Sequence, residues 1–160
     1  MGDLFLPLLM QDEVKKRAAA LENWMAPLFD KLPHLPANIR ELLVSIAPWL
    51  ALIGGILGLF GVWSAGMLSA FFAFSFVGGG SQMAWMIALV VALAASILEL
   101  MAYGPLSARK KRGWNLLFYA TVLTTAASVI QILIAYGSLG SLLGALVGFW
   151  LLFEIRGLYQ

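Results

Sequence analysis

The chain has 160 residues, of which 62% are hydrophobic and only 11% are charged, and its formal net charge is +2. Soluble domains average about 25% charged residues, and a soluble domain of this length has too little interior to bury so much apolar surface. The composition therefore excludes an ordinary soluble globular protein and predicts that hydrocarbon surrounds much of the chain.

The sequence contains no catalytic or metal-binding constellation. It has no Cys, which excludes thiolate catalysis, disulfides and cysteine metal sites. Its one histidine, His34, cannot form the His pair of a zinc site, and no phosphate-binding or dinucleotide-binding fingerprint occurs. We therefore expect no enzyme activity, no cofactor and no metal. One basic loop is the only feature that could suggest nucleic acid, and it has a better explanation below.

Residues 1–45 are predicted to form a cytoplasmic or interfacial amphipathic arm. The first residues lack a signal-peptide pattern, so we expect the first membrane span to act as its own insertion signal. Apolar residues spaced three and four apart predict one stripe on a helix over about residues 12–32. The stripe consists of Val14, Ala18, Leu21, Met25, Leu28 and Leu32. This helix is expected to lie on the inner membrane surface, or alternatively to dock a partner protein.

Residues 46–160 are predicted to form four transmembrane helices. No Asp, Glu, Lys or Arg occurs from Leu42 to Leu98 or from Gly113 to Phe153, and about 20 apolar residues suffice to cross a bilayer. The predicted spans cover about residues 46–68, 82–103, 114–136 and 138–155. Ser45 is expected to cap the first span, and Gly104-Pro105 to end the second. The predicted fold is an all-α integral membrane protein, a four-helix transmembrane bundle with an N-terminal amphipathic arm.

Four consecutive positive charges, Arg109, Lys110, Lys111 and Arg112, join the second and third predicted spans. Cytoplasmic loops collect Lys and Arg, and this bias sets membrane orientation. Four crossings place the basic loop, the basic N-terminal arm and Arg156 on the same side. The loop is therefore predicted to anchor the topology, with anionic lipid headgroups as a compatible partner. We expect a location in the bacterial cytoplasmic membrane with both termini cytoplasmic.

Small residues recur four apart in every predicted span, and they predict close helix packing. The glycines of this kind in the first and fourth spans are Gly54, Gly58, Gly140, Gly144 and Gly148. In lipid, apolar burial does not drive helices together, and small residues allow the close backbone approach that packing requires. We expect these ladders to hold the bundle together. Association with a second copy or with another membrane protein is the alternative.

Two polar residues within the spans are candidates for function. Glu99 shares the small-residue face of the second predicted span, and Gln131 lies on that of the third. Acids within a membrane often mark ion or proton pathways. The structural alternative is an ion pair of Glu99 with Arg156, Arg109 or Arg112. For Gln131, the expected structural role is a hydrogen bond to a neighbouring helix.

The last third of the sequence resembles a group of short, uncharacterised bacterial membrane proteins. In that group a basic loop precedes a Gly-Trp-x-Leu-Leu-Phe-Tyr helix start, and a Gly-rich last helix ends in a basic-x-x-Tyr tail. The matching residues are Gly113, Trp114, Leu116, Leu117, Phe118, Tyr119, Arg156 and Tyr159. The resemblance implies a membrane protein and carries no activity with it.

Two functions fit these patterns. The first is a non-enzymatic membrane scaffold, accessory subunit or membrane-organising protein, with the lipid bilayer and a membrane protein or second copy as partners. The alternative is a small oligomeric transporter or channel subunit that uses Glu99 and Gln131.

The charge distribution generates a prediction about orientation. Reporters fused to either terminus should show a cytoplasmic location, and a reporter in the 69–81 loop should lie on the opposite side. Replacement of Arg109, Lys110, Lys111 and Arg112 by Gln should weaken this preference, because those charges resist translocation. A terminus that reports from the opposite side would contradict the arrangement.

Overall fold

The computed structural model describes the backbone of residues 5–73, 79–135 and 139–159, and the side chains of most but not all of these residues. Within those ranges the chain is helical, and no strand occurs among them. The helices are α1 (Phe5–Phe29), α2 (Ala37–Ala73), α3 (Gly79–Ser107), α4 (Lys111–Ala135) and α5 (Leu139–Glu154), followed by a 3-10 turn at Arg156–Leu158. The predicted all-α class is confirmed.

Two compact units divide the chain, Met1–Leu35 and Pro36–Gln160. The predicted arm, residues 1–45, ends ten residues further along the chain. Arg40 and Glu41 resemble part of a solvated arm, but they lie in the second unit, beyond the non-helical stretch that contains Pro33 and Pro36. Both prolines lack the N–H that would continue a helix.

The described part of the N-terminal unit contains one helix, α1, which begins before the predicted 12–32 helix and ends at Phe29. Pro27 lies in the last turn, and the helix ends two residues later. On the predicted stripe, Leu21 and Met25 are half-buried and Leu28 is exposed. The side chains of Val14 and Ala18 fall outside the described part of the chain.

Helix α2 begins well before the predicted start near residue 46. The carbonyl of Pro36 accepts hydrogen bonds from the N–H groups of Ile39 and Arg40 at 2.9 and 3.1 Å, which opens the helix. Ser45 does not cap it, because its hydroxyl donates to the carbonyl of Leu42 at 2.7 Å within the helix. Pro48 consequently lies in the helix interior.

The end of the second predicted span also differs from the prediction. Helix α3 continues through Pro105 to Ser107, and the N–H of Ala108 still bonds the carbonyl of Gly104 at 3.1 Å. Proline lacks an N–H donor and its ring crowds the carbonyl four residues earlier, but the residues after it can still complete a final turn. The helix therefore reaches the basic loop with no intervening linker.

Three helices of the described residues are long and apolar enough to cross a membrane: Ala37–Gly66, Trp85–Ser107 and Lys111–Ile130. Fewer than a third of the residues in each are buried by other parts of the chain. Their outward apolar surfaces suit hydrocarbon. Helix α5 has 16 residues, a length of about 24 Å against a hydrocarbon core of about 30 Å. The predicted four-span bundle is therefore shown only in part.

Helices α2 and α3 pack antiparallel through glycines of α2. A methyl group added at Gly55 would lie 2.7 Å from Cγ of Leu100 and 3.0 Å from the backbone oxygen of Ser96. A methyl group at Gly58 would collide with the hydroxyl of Ser96. These distances leave no room for a side chain, so glycine is what allows the two helices to approach.

Side-chain and backbone contacts bring one end of each of four helices, α2 to α5, together at one end of the second unit. Glu41 at the start of α2 meets Arg109 just beyond α3. Gly113 at the start of α4 packs against the backbone of Leu106 near the end of α3. Trp114 of α4 donates to the carbonyl of Leu152 near the end of α5. We call this region, residues 37–41, 106–114 and 152–159, the charged end.

The glycine contacts predict a selective loss of stability. Gly55→Ala should destabilise the folded protein by about 1–3 kcal/mol, because the added methyl overpacks the α2–α3 interface. Gly61→Ala is the matched control, since nothing lies within 4 Å of a methyl at that position. Thermal unfolding in detergent measures both. Equal stability of the two variants would contradict the packing described here.

Candidate functional site at the charged end

The best-defined polar contact at the charged end is the ion pair between Glu41 and Arg109. The Nη2 atom of Arg109 lies 2.8 Å from Oε2 of Glu41, and its Nη1 lies 3.5 Å from Oε1. This two-point geometry matches the guanidinium fork to the carboxylate. Both side chains are about half exposed, so the pair contributes at most about 1 kcal/mol. Its main effect is to fix the basic loop beside α2.

Arg109 adopts a backbone conformation that usually belongs to glycine. Its φ is 52°. The N–H of Arg109 bonds the carbonyl of Leu106, and that of Lys110 bonds the carbonyl of Pro105, both at 2.9 Å. This pattern is a Schellman helix terminus, in which a left-handed residue reverses the chain. A non-glycine residue there is strained by roughly 1–2 kcal/mol, and the pair with Glu41 partly offsets that strain.

An aromatic cluster anchors the start of α4 to the end of α5. Trp114 is fully buried, and its Nε1–H donates to the carbonyl of Leu152 at 2.7 Å. Its ring stacks on Phe118 with centroids 5.3 Å apart and meets Phe153 edge-on at 5.8 Å. These contacts turn the end of α5 towards the basic loop.

Two cations flank the Trp114 ring. The ammonium of Lys111 lies 3.8 Å from the ring centroid, and the guanidinium carbon of Arg156 lies 5.9 Å from it. Cations are attracted to the negative face of an aromatic ring. Two of the positive charges at this end therefore contact the Trp114 ring instead of extending away from the protein.

A second ion pair joins α2 to α5. The Nε atom of Arg40 lies 3.7 Å from Oε1 of Glu154, whose side chain is only 4% exposed. A carboxylate removed from water needs an opposite charge nearby, and Arg40 supplies one. The start of α2 is thus tied to α5 as well as to α3.

Tyr159 packs into the same end. Its side chain is buried, and its hydroxyl makes no hydrogen bond within the described part of the chain. Burial raises the pKa of Tyr159, and the nearby Arg109 guanidinium partly opposes this rise. The phenol therefore stays protonated at neutral pH.

Glu99 lies away from the charged end, within the span Trp85–Ser107. It is half-buried, and its Oε2 would lie 3.0 Å from a methyl group at Gly54. The alternative of an arginine partner is not observed: no described residue forms an ion pair or hydrogen bond with Glu99. Arg109, one of the expected partners, binds Glu41 instead.

The other predicted residues are placed as follows. Gly54 and Gly58 face α3, whereas a methyl at Gly144 would meet nothing within 4 Å and one at Gly148 would touch only Thr121 at 4.0 Å. Gly140 is exposed. The side chain of Gln131 falls outside the described part of the chain. The α5 glycines that the structure describes therefore do not form the close contacts seen for those of α2.

Within the described residues no group of three His, Asp or Glu side chains could hold a metal ion. Comparisons with protein-family models, with curated proteins and with solved structures give no match to this chain. The geometry of the charged end and of Glu99 is therefore the basis for any functional conclusion.

Sequence reasoning missed Glu41 and Arg40 as members of the site. Both precede the charge-free run and resemble residues of a solvated arm. The Glu41–Arg109 pair joins residues 68 positions apart, so no local pattern reveals it. A helix start placed at Pro36 would have brought both residues to the membrane boundary next to the basic loop.

The conformation of Arg109 predicts opposite behaviour for two small replacements. Arg109→Gly loses the ion pair but relieves the left-handed strain, whereas Arg109→Ala loses the pair and keeps the strain. Arg109→Ala should therefore be less stable than Arg109→Gly by about 1 kcal/mol. Chemical or thermal unfolding of both purified variants measures this difference. The reverse order would show that residue 109 does not hold the left-handed conformation.

Proposed function

We propose that this chain is a four-span bacterial inner-membrane protein that acts as a non-enzymatic scaffold, accessory subunit or organiser of membrane partners. The observation that carries the proposal is the direct packing of α2 on α3. Gly55 meets Leu100 and the Ser96 backbone, and Gly58 meets the Ser96 hydroxyl, so no side-chain-sized gap separates the helices there. A solute path between α2 and α3 at this level has no room.

The hydroxyl groups within the spans support the same proposal. Thr121, Thr125 and Ser128 of α4 donate to carbonyls four residues earlier in their own helix, at 2.9, 2.6 and 2.9 Å. Ser96 of α3 donates likewise to Ala92 at 2.8 Å. Hydroxyls satisfied within their own helix do not need water or a transported solute as partner. These groups suit a structural bundle.

The proposed fourth span is α5. Its last turns pack on Trp114, at the same end of the bundle as the basic loop. Phe149 contacts Phe118 one turn further along α4, with ring centroids 6.1 Å apart. Helix α5 therefore returns antiparallel to α4. The interfacial aromatic residues and a locally thinner bilayer can accommodate a short span. On this proposal both termini and the basic loop share the cytoplasmic side.

One observation favours the alternative of a small transporter or channel subunit. The carboxyl group of Glu99 lies inside a membrane span and has no ion-pair partner among the described residues. Intramembrane acids of this kind occur in proton and ion pathways. On this alternative, Glu99 and Gln131 would face each other or a second copy across an oligomer.

Glu99→Gln separates the two functions. For a scaffold, the variant should fold with a stability change below about 1 kcal/mol, since no charge partner is lost. Proteoliposomes that contain the wild-type protein should then be as tight to protons and cations as protein-free liposomes. A wild-type flux that Glu99→Gln abolishes would overturn the scaffold and establish transport.

Glu154→Gln is the matched control for this test. It makes the same chemical change but removes the buried partner of Arg40. We expect a loss of about 1–3 kcal/mol with no effect on membrane tightness. If Glu99→Gln were as destabilising as Glu154→Gln, Glu99 would have a structural role that the described contacts do not show.

A further inference from the structure

The positive charges of the charged end are not equivalent. Arg109 is neutralised by Glu41 at 2.8 Å, and Arg40 lies beside Glu154. Lys111 is directed onto the Trp114 ring. Each of these cations has a partner within the protein, so none of the three is the first choice for an external ligand.

Lys110 and Arg112 differ from these cations. Both residues are exposed, and their side chains make no ion pair or hydrogen bond with any residue that the structure describes. Lys110 lies in the turn from α3 to α4, where its N–H bonds the carbonyl of Pro105, and Arg112 is the second residue of α4. Two cations without a partner among the described residues are therefore exposed where the turn meets α4, on a hydrogen-bonded backbone.

The position of this turn determines what surrounds it. The span Trp85–Ser107 ends just before it, and the span Lys111–Ile130 begins next to Lys110 and one residue before Arg112. Residues directly adjoining two membrane-crossing segments lie at the level of the lipid headgroups. Phosphate groups of phospholipids are present there at high local concentration, and anionic headgroups attract Lys and Arg near the surface.

We propose that Lys110 and Arg112 bind the phosphate of an anionic phospholipid headgroup at the α3–α4 turn. Arg109 and Glu41 act as positioning residues, because their ion pair holds the turn against α2. The occupant is a lipid, since the site lies at headgroup depth and complements a negative headgroup. This inference rests on the membrane placement proposed above and is independent of whether Glu99 transports ions.

The test uses the full-length chain in a neutral detergent, titrated with phosphatidylglycerol or phosphatidylcholine and followed by native mass spectrometry. Wild-type protein should retain phosphatidylglycerol in preference to phosphatidylcholine. The double variant Lys110→Gln/Arg112→Gln should weaken phosphatidylglycerol binding by about 30-fold, from the usual contribution of each basic residue near a membrane surface. Phosphatidylcholine binding should change little.

The control is Lys16→Gln/Arg17→Gln, which removes one Lys and one Arg from exposed positions of α1. It should leave phosphatidylglycerol binding within about twofold of wild type. An equal loss in both double variants would show attraction to overall charge and would overturn the local site. Absence of any headgroup preference in wild type would overturn it as well.

Two further measurements apply to the wild-type protein alone, so that a poorly folded variant cannot leave the question open. Raising the salt from about 0.1 M to about 0.5 M should weaken phosphatidylglycerol binding, because exposed charges are screened. Inorganic phosphate at the same concentration as the lipid should not displace it. Salt-independent binding, or displacement by phosphate, would contradict a lipid site. Neither result bears on the Glu99 flux test.

Discussion

The cost of placing a charge in hydrocarbon is the constraint on which the rest of this structure depends. A chain with charge-free runs of 57 and 41 residues must collect its charges at the boundaries of those runs. The structure brings three of the four boundaries together at one end, where Glu41 meets Arg109 and Glu154 meets Arg40. The fourth boundary, Glu99, lies away from that end. The ion pairs are individually weak. Their value lies in joining the start of α2 to the ends of α3 and α5.

The helices also have to associate without help from the hydrophobic effect, because lipid is as apolar as they are. Two of the packed helix pairs solve this differently. Helices α2 and α3 use glycines, so that backbone and side chain meet directly at Gly55 and Gly58. Helices α4 and α5 use large rings, with Trp114 and Phe118 filling the space and one indole hydrogen bond fixing the register. Both solutions exclude solvent from the contact.

The sequence was sufficient to predict the all-helical class and helices long and apolar enough to cross a membrane, because continuous apolar runs of about 20 residues or more are typical of spanning helices. It was insufficient for the helix ends. Pro48 and Pro105 suggest boundaries, yet both lie inside helices. A proline removes one donor and crowds the carbonyl four residues earlier, which can kink a helix without ending it.

The candidate site was predictable only in part, for a similar reason. Composition identifies the basic loop, but not which of its charges are neutralised, since Glu41 and Trp114 become neighbours of that loop only through folding. Spacing alone also could not distinguish Gly54 and Gly58 of α2, which face α3, from Gly144, which faces open space. Glu99 illustrates the same limit. Its position on the helix indicates a packed face, and the structure places it beside Gly54. Helical position alone does not reveal whether an arginine lies close enough to pair with it.

The most direct test of the account is the accessibility of three helix ends from one side of the membrane. The chain has no native cysteine, so single cysteines can be introduced at the exposed positions Asn38, Ala108 and Gly157. Each is then treated with a membrane-impermeant maleimide in right-side-out and in inside-out vesicles. The account predicts that all three react only in inside-out vesicles, because α5 returns to the end that carries the basic loop. Reaction of the cysteine at position 157 from the opposite side to the one at 108 would contradict it and would show that α5 does not cross.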